Sequence, residues 1–394
     1  INMRPSTMAL FPDRPWTVFN WIELNIYFGM IGISYILTTE MGFSLWFFWL
    51  AQRFQMFSRI MVGAPEAWGI FGLQAIGAII SLGLVYVWSG RTHLRQVVRK
   101  AVFNDPNIDD SREPISYRAS VVIIVGGFLF LLIWFSLIGL SPLWAFLMMA
   151  FYFLTIIVLT RVVSEAGTFV WWAPLYPQFF PIRFFGTALV GSKNMTLLLM
   201  TGWNLHDTAT CVLPQALNGF KIAEESGLNR RKVFIAMCCA LLVSVLACNI
   251  PSIYCMYRYG IPNLGWWSRG APRALADTIS GTLRSKNQLF QPWEFGHITA
   301  GGLFTLCLVI MRRHFIWWPF HPLGYVASWC MGRYWFAILI GWSFKVAVTR
   351  IGGIRLWKKY YPAALGLVIG ETLILFTWLL FHFLKPIHGV LIIE

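Results

Sequence analysis

The chain has 394 residues, of which 58% are hydrophobic and only 12% charged, and it carries a formal net charge of +15. That charge content is about half that of an ordinary soluble domain, which excludes a soluble globule. The apolar runs are continuous rather than alternating, which excludes a β-barrel. What remains is an all-α class, a polytopic transmembrane helix bundle, because helices satisfy their backbone hydrogen bonds internally in lipid.

The Lys and Arg residues cluster in short loops beside apolar runs. That is the pattern of positive-inside loops and anionic-lipid contacts, so the expected partner is the bilayer and not nucleic acid. The 21 Trp and 13 Tyr suit interfacial belts. Residues 2–15 are polar and Pro-rich, with no apolar core of a signal peptide. Because the sequence starts at Ile1, residues 1–394 are expected to form one integral-membrane domain that is the C-terminal part of a longer chain.

The first candidate span, 19–38, is polar at its start, with Asn20, Glu23 and Asn25, and the second, 42–57, is short and carries Gln52, Arg53 and Gln55. Together they read as broken or interfacial helices around Thr38-Thr39-Glu40-Met41-Gly42. The run 67–88 is an unambiguous span, with Gly69, Gly72, Gly77 and Gly83 permitting close helix approach. Residues 89–118 form a basic loop placed in the cytoplasm, in which Arg91, Arg95, Arg99 and Lys100 recur at helical spacing on an amphipathic surface helix. Spans at 119–139 and 143–163 make a hairpin. The stretch 164–232 reads as re-entrant or surface-lying, with a short apolar run at Met195–Trp203 and an amphipathic helix at Leu213–Leu228.

A span at 233–256 precedes an interfacial loop, 257–295, with a helix near 271–284. Spans at 296–311, 334–350 and 361–384 complete the chain. Between Arg313 and Arg333, the charge rule favours a further crossing by 315–332, because Arg313 and the basic cluster Arg350–Lys359 then both lie in the cytoplasm. The expected total is nine or ten membrane segments.

Several side chains in this layout could carry chemistry. Glu40 sits between two apolar flanks, where a charge at bilayer depth costs about 3 kcal/mol or more without water or a partner; it is either a functional carboxylate or a helix-end group at the lipid headgroups. Arg161 and Glu165 stand one helical turn apart, as a gated pair lining a pathway or as a plain interfacial ion pair. Asn204, His206 and Asp207 follow the short Met195–Trp203 run, as a half-helix would present a site, or as a headgroup loop that caps the next segment. Lys345 and Glu371 lie inside clear spans, facing the bundle interior and each other, or else snorkelling or meeting an outside subunit.

Signatures of soluble enzymes are missing: there is no HExxH, GxSxG, GxxxxGK[ST] or GxGxxG. The seven Cys form no CxxC pair and the seven His do not pair within spans, so no metal, haem, quinone or other cofactor is expected.

At Arg161-Val-Val-Ser-Glu-Ala-Gly167 the chain resembles a family of uncharacterised bacterial polytopic membrane proteins. The resemblance extends over Tyr35 to Phe48, Gly219 to Glu224, His321-Pro-Leu-Gly-Tyr325, Arg350 to Trp357 and Gly366 to Glu371. It implies a bacterial cytoplasmic-membrane location and a layout similar to that of oligopeptide and metal-chelate transporters, and it assigns no substrate residues. The function expected is secondary transport of a small polar or peptide-like solute, with Glu40 and Glu165 as proton-coupling carboxylates. The alternatives are a structural subunit associating with other membrane proteins or with itself, and a membrane-embedded enzyme acting on lipid or glycan.

Overall fold

The computed structural model describes residues 11–65, 67, 69–111, 113–167, 174, 176–201, 211–284 and 292–384. Among those residues there are fourteen α-helices and no strand. In chain order the helices are α1 (Phe28–Ile36), α2 (Thr39–Met61), α3 (Gly69–Ser89), α4 (Arg91–Phe103), α5 (Tyr117–Ile138), α6 (Pro142–Ala166) and α7 (Phe179–Val190). They continue with α8 (Ser192–Thr201), α9 (Val212–Glu225), α10 (Arg230–Tyr259), α11 (Trp266–Arg284), α12 (Pro292–His314), α13 (Pro322–Ser328) and α14 (Trp335–Leu384).

Six of the described helices, α3, α5, α6, α10, α12 and α14, are long and apolar enough to cross a membrane. The difference from the expected nine or ten has physical causes. The 23 residues of α2 carry Gln52, Arg53, Gln55 and Arg59, too polar for the apolar criterion. The first expected span begins only at Phe28, because 22–27 is not helical and Trp16–Trp21 is a 3-10 turn. The expected crossing by 315–332 is not formed: its α-helix, α13, has seven residues, a length of about 10 Å against a hydrocarbon core of about 30 Å.

The two last expected spans, 334–350 and 361–384, correspond to the two limbs of α14, which counts once among the six. Gly353, with φ +58° and ψ −155°, breaks it into two limbs, 335–352 and 354–384. Only a residue without a Cβ adopts that backbone at little cost.

The chain divides into two compact units, one of residues 1–81, 161–174 and 297–394, the other of 82–160 and 175–296. In the first unit α1 packs against both limbs of α14. A Cβ at Gly341 would collide with Ser34 and the Ile31 carbonyl, and one at Gly32 with Val368 and the Ala364 carbonyl. The buried face of α2, with Met41, Ser44, Leu45, Phe48, Trp49 and Met56, recurs every three to four residues and meets α13 and α14. The N-terminal part of α3 crosses α12 at Gly77, Gly301 and Gly302, close enough that any Cβ there would enter the partner's backbone or the Ser81 hydroxyl. Of the glycines read from 67–88, Gly77 makes this small-residue crossing, whereas a Cβ at Gly69 would meet open space.

In the second unit α5 and α6 form the expected hairpin, turned by Gly139 at φ +102°. Its core joins Leu140, Trp144, Ala145, Met148 and Met149 to Val190, Met195 and Leu198. Asn194 Oδ1 accepts from the Ser141 backbone and hydroxyl at 3.0 and 3.1 Å, which ties α8 to the hairpin turn. The stretch 164–232, read as re-entrant or surface-lying, holds the short helices α7, α8 and α9 among its described residues; α9 matches the amphipathic helix expected at Leu213–Leu228, and Gly186 at φ +78° interrupts α7.

Gly301→Ala is expected to destabilise the protein by about 1–3 kcal/mol, the cost of overpacking a closed contact, whereas Gly126→Ala, where a Cβ would meet open space, leaves stability unchanged. Thermal unfolding of the two variants in detergent checks this.

Candidate functional site

The break between α1 and α2, at Leu37-Thr38, is where charged side chains of the first unit converge. Helix α1 has nine residues and is held by charge at both ends. At its start the Gly29 N–H donates to Glu371 Oε2. At its end Lys345 Nζ donates to the Leu37 carbonyl and, at 3.4 Å, to the Ile36 carbonyl. A helix carries partial positive charge at its N-terminus and negative charge at its C-terminus, so the carboxylate and the ammonium each sit at the favourable end. Lys345 is buried at 8% exposure, a position an ammonium tolerates only with such acceptors. Tyr35 and Trp357 lock the same end reciprocally: the Tyr35 hydroxyl donates to the Trp357 carbonyl at 3.1 Å and Trp357 Nε1 to the Tyr35 carbonyl at 3.4 Å.

Beside the break runs a chain of alternating charges. Glu40 Oε2 lies 3.3 Å from Arg312 Nη2. Arg312 Nη1 abuts His321 Nε2. The same ring nitrogen lies 3.3 Å from Glu165 Oε2, and Glu165 Oε1 lies 3.4 Å from Arg161 Nη1. The elements aim these groups by their polarity. Glu40 occupies the first turn of α2 and Arg312 the last turn of α12, so each end-charge complements its helix dipole. The side chains of Glu40, Arg312, Arg161 and Glu165 are between 35% and 56% exposed, whereas that of His321 is 4% exposed. The imidazole is therefore the dry centre of a wetter ring of charges.

Ser44 connects this chain to α2: its hydroxyl donates to the Glu40 carbonyl and accepts from the His321 N–H, both at 2.7 Å. Trp342 Nε1 donates to the Thr39 carbonyl at 3.0 Å and pins the break from the α14 side. On α13 the Tyr325 hydroxyl points at Gln74 Oε1, 3.4 Å away. Burial pushes that phenol above its usual range, so it remains a donor.

Of the residues singled out from sequence, Glu40, Arg161 and Glu165 belong to one cluster, and Lys345 reaches the same break. Lys345 and Glu371 do not pair with each other. They hold opposite ends of α1, separated by nine residues, about 14 Å of helix. Asn204, His206 and Asp207 lie outside the described residues. Sequence reasoning missed His321, Arg312 and Ser44. The signal for His321 was present in His321-Pro-Leu-Gly-Tyr325, a histidine just before a proline-started helix; Arg312 was absorbed into a basic cluster read only for topology. No three His, Cys, Asp or Glu side chains among the described residues are placed to hold a metal ion.

The fold and the charged discontinuity define the class: a multi-pass α-helical membrane protein with a helix break lined by ion pairs. The family described as "Family of unknown function (DUF6785)" matches residues 1–393, and the chain belongs to it. No curated protein and no solved structure matches.

Lys345→Met is expected to cost about 2–3 kcal/mol, because two helix-end carbonyls lose a charged donor. Lys221→Met, which removes only the exposed Lys221–Glu225 pair, serves as the near-neutral control. Unfolding midpoints in detergent check the difference.

Proposed function

We propose that this protein is a secondary transporter of a small polar or peptide-like solute, resident in a bacterial cytoplasmic membrane. The observation that carries the reading is the break between α1 and α2, with Lys345 at the end of one helix and Glu40 in the first turn of the next. Interrupted helices are how carriers expose helix-end dipoles and backbone groups to a solute near mid-membrane, where continuous helices offer none. The flanking Glu40–Arg312–His321–Glu165–Arg161 chain supplies what coupling needs: titratable carboxylates and an imidazole in mutual contact, close to the break. The exposed basic face of α4, with Arg91, Arg95 and Arg99, then rests on anionic headgroups.

A second reading, a subunit of a larger membrane assembly, draws on α5 and α10, apolar spans without a buried residue. Those surfaces fit lipid chains and partner helices alike.

The test is uptake in proteoliposomes of a panel of single amino acids and of neutral di- and tripeptides, with and without an inward pH gradient. Gradient-driven accumulation of at least one panel member is expected, reduced to background by Glu40→Gln and by Glu165→Gln. Uptake indifferent to the gradient and to both substitutions removes the coupling assignment. No uptake, together with stoichiometric co-purification of another membrane protein, favours the subunit reading.

A further inference from the structure

His321 is the one buried member of the charge chain, and its two ring nitrogens have conflicting obligations. The residue is the N-cap of α13, and its Nδ1 accepts the Leu323 N–H at 3.2 Å. Pro322 has no N–H, so Leu323 carries the first backbone donor of this helix. Pro322, Leu323, Gly324, Val326, Ala327 and Ser328 are all buried, so a donor left open there costs about 1–3 kcal/mol. While Nδ1 accepts, the single proton of a neutral ring must sit on Nε2. From Nε2 it is donated to Glu165 Oε2 at 3.3 Å.

Arg312 Nη1 abuts that same Nε2. A guanidinium can only donate, so the arginine and the ring proton compete for one position, and Arg312 is satisfied through Glu40 instead. A second proton cannot be added without breaking something. The new N–H bond forms at Nδ1, with the proton drawn from bulk water. The Leu323 N–H then loses its acceptor, and the imidazolium stands between Glu165, which attracts it, and Arg312, which repels it. Glu40 and Arg161 lie one contact further on either side. The mechanical link is short, since the His321 N–H holds the Ser44 hydroxyl, which in turn holds the first turn of α2.

We propose that His321 is a proton-binding switch: neutral, with its proton on Nε2, it caps α13 and seats that helix against α2; doubly protonated, it releases the start of α13. The switch is set by the ring's neighbours and does not depend on what the protein carries.

Amide hydrogen exchange of the full chain in lipid nanodiscs tests this. The peptide containing Leu323–Ser328 is followed at about pH 8 and about pH 5.5, after correction for the chemical pH dependence of exchange. The expected result is exchange about tenfold faster at the acidic pH, the scale of one lost hydrogen bond. His321→Asn keeps a strong cap without a titrating group and is expected to abolish the step, while His314→Asn keeps it. Glu165→Gln, which removes the attracting carboxylate, is expected to move the step to lower pH, and Arg312→Gln to move it to higher pH. A wild-type α13 whose corrected exchange is the same at both pH values overturns the proposal, and so does a step that survives in His321→Asn. Should that variant not fold, a step unmoved by both Glu165→Gln and Arg312→Gln overturns it equally. None of these readouts requires a transported solute.

Discussion

Helix α1 is too short to cross a bilayer and too apolar to lie comfortably in water, and its stability comes from α14. The two limbs of α14 close on it through Gly32 and Gly341, where only hydrogen fits between the backbones. Glu371 and Lys345 take its two ends. Each charge solves the other's problem through the helix between them. An isolated carboxylate and an isolated ammonium within apolar spans would each cost several kcal/mol, and unsatisfied helix ends would cost a similar amount. Set against the two poles of one dipole, all four liabilities are answered without a direct ion pair. The remaining features of the first unit follow from this arrangement. With the end of α1 fixed, Trp342 can hold the Thr39 carbonyl, and α2 must begin beside Arg312 and His321.

The two kinds of charge in this unit differ in how firmly they are held. Glu40–Arg312 and Arg161–Glu165 are half-exposed pairs at 3.3–3.4 Å, a class worth about 0–1 kcal/mol. They contribute little to holding the fold and rearrange at low cost. The contacts of Lys345 and His321 are buried, so their loss leaves backbone groups unpaired in a dry interior. The Lys345 anchor at the end of α1 and, while His321 is neutral, its cap on α13 frame the break, and the loosely held ion pairs between them give it an adjustable lining.

The class of fold was legible because it rests on composition and run length, which lipid constrains strongly. The span limits of α3, α5, α6 and α10 lay within a few residues of the apolar runs, and the α5–α6 hairpin turns at Gly139, the last residue of the run read as 119–139. The site was legible in part. Glu40 and Glu165 stood out because a carboxylate beside an apolar run is costly wherever it points. His321 did not, because imidazole in a proline-rich connector carries no such penalty, and its role comes from α6 and α12, which reach it across more than a hundred residues and across nine. The pairing of Lys345 with Glu371 failed for a related reason. A sequence shows which charges need partners, but a backbone pole leaves no residue-type signature, so a helix end serving as counter-charge is invisible until the helix is placed. The two last expected spans correspond to the two limbs of α14; the basic stretch between them is helical on either side of Gly353 because Lys and Arg extend a helix readily.

The clamp on α1 also has a consequence for synthesis. Gly29 and Glu371 are 342 residues apart, which at ordinary elongation rates is a delay of about 20–70 s. For most of that interval the nascent α1 has neither limb of α14 nor either counter-charge; the limb that carries Lys345 comes first and the one that carries Glu371 last. The ribosome therefore delivers this short helix long before the segment that gives it a place. During that time both of its ends and its Gly32 face are without their folded contacts, so the packing around α1 is completed only when the second limb of α14 has been made.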